Sequence, residues 1–292
     1  MLFLPKNHPS LVSLSKEDVS VSDFDAPDNT INVIILNLMP QKQEAEEEFY
    51  RVLDKCGVDI KIILAKMSGL IYKTTPQAYM DQYYIDIAEI MSTNQHYEGM
   101  IITGAPLEHY EYKEVKYWQQ LKDVYEWSLS HVRSTLNICW AAFAALNIFY
   151  NIDKYLTKEK LFGVFKHEIK DIAQSIVNGF PVSVPVPISR QITLRREDIY
   201  RHQELILLLD HHETGPELII DQQKRHIFAT GHLEYAANRL EFEYVRDIKK
   251  GLPIKLPANY FIDNNPNLGI NNSWHEVGKL FYKNWIDFYV KE

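Results

Sequence analysis

The chemistry of this chain centres on Cys139 and on the run Thr230-Gly231-His232-Leu233-Glu234. Cys139 follows the apolar run Thr135–Ile138, which reads as a strand, and precedes Ala141–Tyr150, which reads as a helix. A strand–nucleophile–helix turn lifts a side chain above the carboxyl edge of a sheet. It also aims the helix N-terminus at the thiol, which favours thiolate. The backbone amide of Trp140 would then be one donor of an oxyanion hole. Position alone also fits a buried structural cysteine, and the turn lacks the glycines that usually flank a nucleophile elbow. A thiol nucleophile needs a base, and the base needs an acceptor to orient it. His232 follows the apolar run Ile227–Ala229 and so arrives at a second strand end. In extended backbone His232 and Glu234 point the same way, so the carboxylate can hold the imidazole. Alone, the pair also fits an ordinary surface contact.

Other polar residues admit two readings. Lys160 and Arg246 are cations suited to a carboxylate or to phosphates, but Arg246 can equally pair with Glu243 or Asp247 on its own helix. His211-His212 has no partners at zinc spacing and reads as a turn, so no metal is expected. Glu44, Glu46, Glu47 and Glu48 read as the solvated first turns of a helix. The aromatic tail (Trp274, Phe281, Tyr282, Trp285, Phe288, Tyr289) reads as core or dimer contact. There is no Gly-rich phosphate loop of the P-loop or dinucleotide-binding type.

The elements that must position these residues alternate. Asn32–Met39, Asp59–Ala65, Gly99–Thr103 and Thr135–Ile138 read as strands, apolar on both faces as in a buried parallel sheet. Helices are expected from about Gln43 to Cys56, from Thr75-Pro76 through Met91, over Glu114–Ser130 and over Ala141–Tyr150. That order predicts an α/β fold with a parallel sheet flanked by helices. Later the pattern changes. Phe180–Leu194 carries three prolines and suggests short or edge strands. Leu205–Asp210, Leu218–Asp221 and Ile227–Thr230 suggest an additional antiparallel segment. Asn238–Lys250 reads as a helix, and Ser273 as the cap of a last helix running to about Tyr289. Residues 1–30 lack periodicity and read as an N-terminal arm; residues 31–292 read as a single domain.

The chain has 292 residues, 46% apolar and 24% charged, with a formal charge of −8. That is a soluble globular composition, and its acidity argues against nucleic acid or an anionic membrane as main partner. No apolar run approaches the roughly 18–20 residues a bilayer span needs. No secretory signal is visible, and two cysteines make no disulfide framework, so a cytoplasmic location is expected.

A set of motifs resembles one family. They are Asn37-Leu38-Met39-Pro40, Thr103-Gly104-Ala105-Pro106, Tyr117-Trp118, Cys139-Trp140-Ala141, Glu159-Lys160-Leu161, Gly231-His232-Leu233-Glu234-Tyr235 and Asn284-Trp285. In order and spacing, from about residue 30 to the C-terminus, they resemble the MetA-type homoserine O-acyltransferases. The resemblance implies a class I glutamine-amidotransferase-like (flavodoxin-like) fold and ping-pong acyl transfer through a cysteine thioester. It implies Cys139 as nucleophile, His232 as base, Glu234 as its orienter, and Lys160, Ser189 and Arg246 as substrate-site residues, Arg246 meeting the amino acid carboxylate. The family's acyl selector lies two residues after Pro106. A glycine there admits succinyl; Glu108 implies acetyl-CoA as a substrate, with no bound cofactor. A homodimer is expected. Two departures bear on the acceptor: Leu233 stands where the family has Pro, and Phe143 where it has Gln. The added bulk makes L-serine, one methylene shorter, the alternative to L-homoserine, a difference of ~1–3 kcal/mol. Succinyl-CoA as donor, a glutaminase on the same scaffold and a non-catalytic binding protein are the remaining alternatives.

Overall fold

A computed structural model describes residues 1–223 and 225–291. Its centre is a single twelve-stranded sheet among the described residues. From one edge the strands run Val21–Ser22, Leu2–Phe3, Ile60–Lys66, Ile31–Leu36, Tyr97–Ile102, Val132–Ile138, His226–Ala229, Gly215–Asp221, Leu205–His211, Tyr155–Ile169 and Ser183–Thr193, with Ile85–Asp86 beside Ile60–Lys66. Pairing is parallel as far as His226–Ala229 and antiparallel beyond it.

The apolar runs alternate between two cores. Val33, Ile35, Ile101, Leu136 and Ile227 face one; Ile34, Leu36, Met100, Ile102 and Phe228 face the other. Helices Lys42–Asp54 and His275–Trp285 cover the first face, and Trp118–His131 and Trp140–Tyr150 the second. This double coverage is why the strands carry no polar alternation. Strand order reverses between Ile31–Leu36 and Tyr97–Ile102, and such a reversal opens a crevice at the carboxyl edge. Cys139 stands on that edge, at the end of the next strand over.

Several expectations are corrected. Residues 1–30 are no arm: Leu2 and Phe3 pair with Ile60 and Lys61 on one side and with Val21 and Ser22 on the other. Leu2, Phe3 and Leu4 are buried as one three-residue run and Leu14 well apart from it, which is too short a pattern to carry a period. The helical stretch from Thr75 breaks into Gln77–Tyr83 and Ile87–Ser92, because Ile85–Asp86 joins the sheet and Asp86 then caps the second helix, accepting from the Ala88 amide. Phe180–Leu194 does hold an edge strand, as expected, though as one run of eleven residues in which Pro185 and Pro187 are tolerated. Its partner Tyr155–Ile169 carries the polar, largely exposed stretch 157–160 near its start and buries only residues 162–164 and His167, so it carries no continuous strand signal. Ser273 caps nothing: the last helix opens at His275 after Trp274 and ends in a π turn over Ile286–Val290. Trp274, Phe281, Tyr282 and Trp285 are core, and the Trp285 indole donates to Ser134 Oγ at 3.0 Å. Glu46 and Glu48 are buried rather than solvated; Glu48 Oε1 accepts from Arg239 Nε at 2.6 Å. Cys56 and Cys139 are both free thiols. Among the described residues no helix is long and apolar enough to cross a membrane, and no group of three or more His, Cys, Asp or Glu could hold a metal.

Candidate active site

Cys139 extends the parallel ladder: its amide donates to the Ala229 carbonyl at 2.7 Å. The chain then turns sharply into the helix. Cys139 adopts φ 50°, ψ −122°, a conformation that costs a non-glycine residue on the order of 1–3 kcal/mol and is the mark of a nucleophile elbow. The missing flanking glycines are thus replaced by strain at the cysteine itself. A third strand end closes on it. A Cβ on Gly104 would lie 3.1 Å from the Cys139 Cβ, so the Thr103–Pro106 turn approaches this closely only because residue 104 is glycine. The Trp140 amide belongs to the first turn of the helix, where amides have no intrahelical acceptor.

His232 and Glu234 do meet, but not in extended backbone. The chain turns there, the Tyr235 amide donating to the His232 carbonyl at 3.4 Å. His232 Nδ1 lies 2.6 Å from Glu234 Oε1, and Tyr282 Oη donates to the other carboxylate oxygen at 3.4 Å. The Tyr235 ring stacks on the imidazole at 4.0 Å between centroids. With Nδ1–H donating to Glu234, Nε2 is left for the thiol, and the charge of Cys139 acts on the imidazole. Burial alone would lower the imidazole pKa. The charges of Glu234 and Cys139 outweigh it and hold His232 well above its ordinary value. These surroundings therefore favour the imidazolium form of His232.

The other expected residues gather one shell further out, around two carboxylates that sequence reading knew only as helix partners. Glu243 Oε2 accepts from Ser189 Oγ at 2.5 Å and lies 3.4 Å from Lys160 Nζ. Tyr235 Oη, whose ring lies on His232, donates to Glu243 Oε1 at 3.1 Å. Asp247 takes Lys160 at 3.4 Å and Arg246 Nε at 2.7 Å. Arg246 does pair along its own helix, and it does so beside the site. Two cations and two carboxylates stand balanced, an arrangement matched to a zwitterion. Glu108 is held by Gln191, whose amide donates to Oε2 at 3.0 Å. Burial lifts its pKa above the usual carboxylate range, while the Gln191 amide and the charges of Lys160 and Arg190 pull it down. Phe143 is fully buried, its ring 5.7 Å from the Arg190 guanidinium carbon.

Lys42 was not singled out from the sequence. It is buried, donates to the Asn37 carbonyl and lies 4.8 Å over the Tyr72 ring. Burial lowers its pKa to about 7, against the pull of Glu46. Asn37 connects it to Thr103, the residue before Gly104. Only the Pro40 that ends the preceding strand run hinted that this lysine lies near the carboxyl edge.

Residues 1–292 match the family described as homoserine O-succinyltransferase. The homoserine O-acetyltransferase of Bacteroides thetaiotaomicron is 37% identical, over 99% of this chain and 95% of the relative. That of Bacillus cereus strain AH187 is also 37% identical, over 99% and 97%. The homoserine O-succinyltransferase of Proteus mirabilis is 39% identical, over 98% and 94%. Among solved structures, a glutamine amidotransferase from Thermotoga maritima aligns with a TM-score of 0.60 at 12% identity, covering 91% of this chain and all of that one. One from Methylobacillus flagellatus gives 0.56 at 9%, covering 88% and 94%. These structures show the fold: it is of the class I glutamine amidotransferase type.

Proposed function

The chain belongs to the homoserine O-succinyltransferase family and is an acyltransferase, and we propose that it moves an acetyl group from acetyl-CoA to the hydroxyl of L-homoserine through a thioester on Cys139. The observation that carries this reading is the buried Cys139–His232–Glu234 alignment at the meeting of three strand ends. The Cys139 thiolate attacks the acetyl carbonyl, and the carbon–sulfur bond to CoA breaks. The leaving CoA thiolate takes the proton held by His232. The homoserine hydroxyl then attacks the acetyl-enzyme, giving its proton to neutral His232, and the Cys139 sulfur leaves as thiolate. In both halves the Trp140 amide is positioned to receive the developing oxyanion. Glu234 keeps the imidazole in the tautomer this requires.

The balanced shell beside Tyr235 suits the amino acid. Arg246 and Lys160 offer charge to its carboxylate, and Glu243 and Asp247 to its ammonium, with Ser189 on the same carboxylate. The names of the relatives divide between acetyl and succinyl donors, and the charge of Glu108 favours acetyl. Homoserine is favoured over serine, because the Phe143 ring lies buried against Arg190 rather than presenting added bulk to an acceptor. We read the enzyme as cytoplasmic and dimeric; Phe242, Val245 and Ile248 expose apolar surface on the helix Arg239–Lys249 that could face a second copy. The test is steady-state release of free CoA thiol with homoserine and with serine as acceptors, and identification of the ester formed. O-Acetylhomoserine at the higher kcat/KM is expected. Preferential acetylation of serine would overturn the acceptor assignment, and no transfer to either would overturn the reading.

A further inference from the structure

Behind the site lies a buried ion pair that the transfer steps above do not use. Arg190, on the edge strand Ser183–Thr193, is fully buried. Its guanidinium donates to backbone: Nε to the Thr230 carbonyl at 3.2 Å, Nη1 to the Ile192 carbonyl at 2.5 Å, and Nη2 to the Thr214 carbonyl at 3.2 Å and to Thr230 Oγ1 at 3.1 Å. Glu217, also buried, lies 3.6 Å from Nη2. Its carboxylate accepts from Thr230 Oγ1 at 2.8 Å and from the Gly231 amide. The His232 amide donates to the Pro187 carbonyl at 2.9 Å on the same edge strand. No side chain fits at residue 231: a Cβ would lie 2.5 Å from Glu217 Oε1 and 2.8 Å from the Pro187 carbonyl oxygen. The turn that delivers His232 is therefore gripped by Glu217 from the neighbouring strand Gly215–Asp221 and by Arg190 and Pro187 from the edge strand Ser183–Thr193, so that a charged group stands on each side.

Burying a guanidinium and a carboxylate for structural reasons alone is poor economy, since an apolar pair of the same volume is often as stable. The pair gains its use from what it faces. We propose that Arg190 and Glu217 are positioning residues for acyl transfer: they fix the Thr230–Gly231 turn so that His232 meets Cys139, and Arg190 gives the thiol a constant positive neighbour that Glu217 tempers. This deepens the reading of Cys139 and His232 as nucleophile and base, and rests on it. Cys139 lies within the fields of His232, Arg190 and Tyr235; Arg190 lies 3.6 Å from Glu217 and within the fields of Glu108, Cys139 and His167; Glu217 lies also within the field of His232.

Three variants separate geometry from charge: Arg190→Lys keeps the charge and loses the fork, Arg190→Met loses both, and Glu217→Gln keeps an acceptor and loses the counter-charge. Two readouts are taken on the full chain. One is kcat and KM for acetyl transfer. The other is the pH midpoint of Cys139 alkylation by iodoacetamide, which needs no turnover. All three variants should lose roughly tenfold to a hundredfold in kcat, with KM for acetyl-CoA little changed, because the base is displaced rather than the substrate. The alkylation midpoint should rise in Arg190→Met and fall in Glu217→Gln, each by roughly half a pH unit or more, and stay put in Arg190→Lys. Opposite shifts are what a merely structural role would not produce. Should Arg190→Met fail to fold, the two conservative variants decide the matter. Wild-type kcat in both of them, or midpoints that move together, overturns the proposal. Full turnover in a Cys139→Ala control overturns instead the reading on which it rests.

Discussion

Replacing Glu108 by glycine should open the acyl site to a succinyl group. The Glu108 carboxylate is fixed by the Gln191 amide at 3.0 Å and lies within the fields of Lys160 and Arg190. A succinyl thioester on Cys139 would carry its own carboxylate toward that group. Two carboxylates about 4 Å apart at an effective dielectric near 20 repel by roughly 4 kcal/mol, close to a thousandfold in rate. The two nearby cations offset part of this, so the preference of the wild type for acetyl-CoA should fall between about tenfold and a thousandfold. Glu108→Gly removes both the charge and the bulk; Glu108→Gln removes the charge alone and so separates the two. Glycine also leaves the Gln191 amide without its acceptor, at a stability cost of about 1 kcal/mol. The assay is kcat/KM for both donors at saturating homoserine. Burial raises the pKa of Glu108, so the wild-type preference should weaken toward acid pH sooner than an ordinary carboxylate would allow. A wild type that uses both donors equally, or a glycine variant that gains no succinyl transfer, refutes the selector role.

Cys139→Ser should abolish transfer while leaving the thermal midpoint near that of wild type, because the hydroxyl is a far weaker acid than the thiol; substantial turnover would contradict the assignment. His232 should stay protonated, by NMR titration, well above the ordinary imidazole pKa. In Cys139→Ala that pKa should drop, since the thiolate charge is one of its supports. The sign for stability follows: a raised imidazole pKa stabilises the fold at acid pH, and that contribution is lost as pH rises through the raised value. kcat/KM should fall along an alkaline limb as His232 loses the proton it passes to the leaving CoA thiolate, and activity that keeps rising through that limb would count against it. Gly278→Ala should act at a distance. A Cβ there would lie 2.3 Å from the Leu233 carbonyl oxygen, between base and orienter, so both kcat and stability should fall, the latter by roughly 1–3 kcal/mol. A variant with normal kcat would show that the final helix does not buttress the turn.

What the sequence disclosed was whatever local pattern suffices to encode. Val33–Leu36 and Ile101–Ile102 sit between two cores, so their unbroken apolar runs were legible as parallel strands. The antiparallel order of the segments from Leu205 to Ala229 followed from their short spacing. The strand Tyr155–Ile169 was hidden because the polar stretch 157–160 breaks its pattern, and Leu2–Phe3 because two residues carry no period. At the site, Cys139 and His232 were visible as strand ends, though not the strained φ that replaces the missing glycines. Glu243 and Asp247 were seen only as helix neighbours of Arg246, because their meeting with Lys160 and Ser189 depends on a hairpin more than fifty residues away. Arg190 and Glu217 had no signal at all, and Lys42 only the nearby Pro40: a buried charge looks like a surface charge until its partners are placed.

The central claim is that the acyl group rests on Cys139 between donor and acceptor. Its most direct measurement is the intact mass of the protein after brief mixing with acetyl-CoA in the absence of any hydroxy amino acid, followed by peptide mapping. A gain of one acetyl group on the peptide holding Cys139, discharged on adding homoserine and absent in Cys139→Ala, is the result expected. Turnover with homoserine by a protein that never carries an acetyl group, or carries it on a residue other than Cys139, would contradict the account.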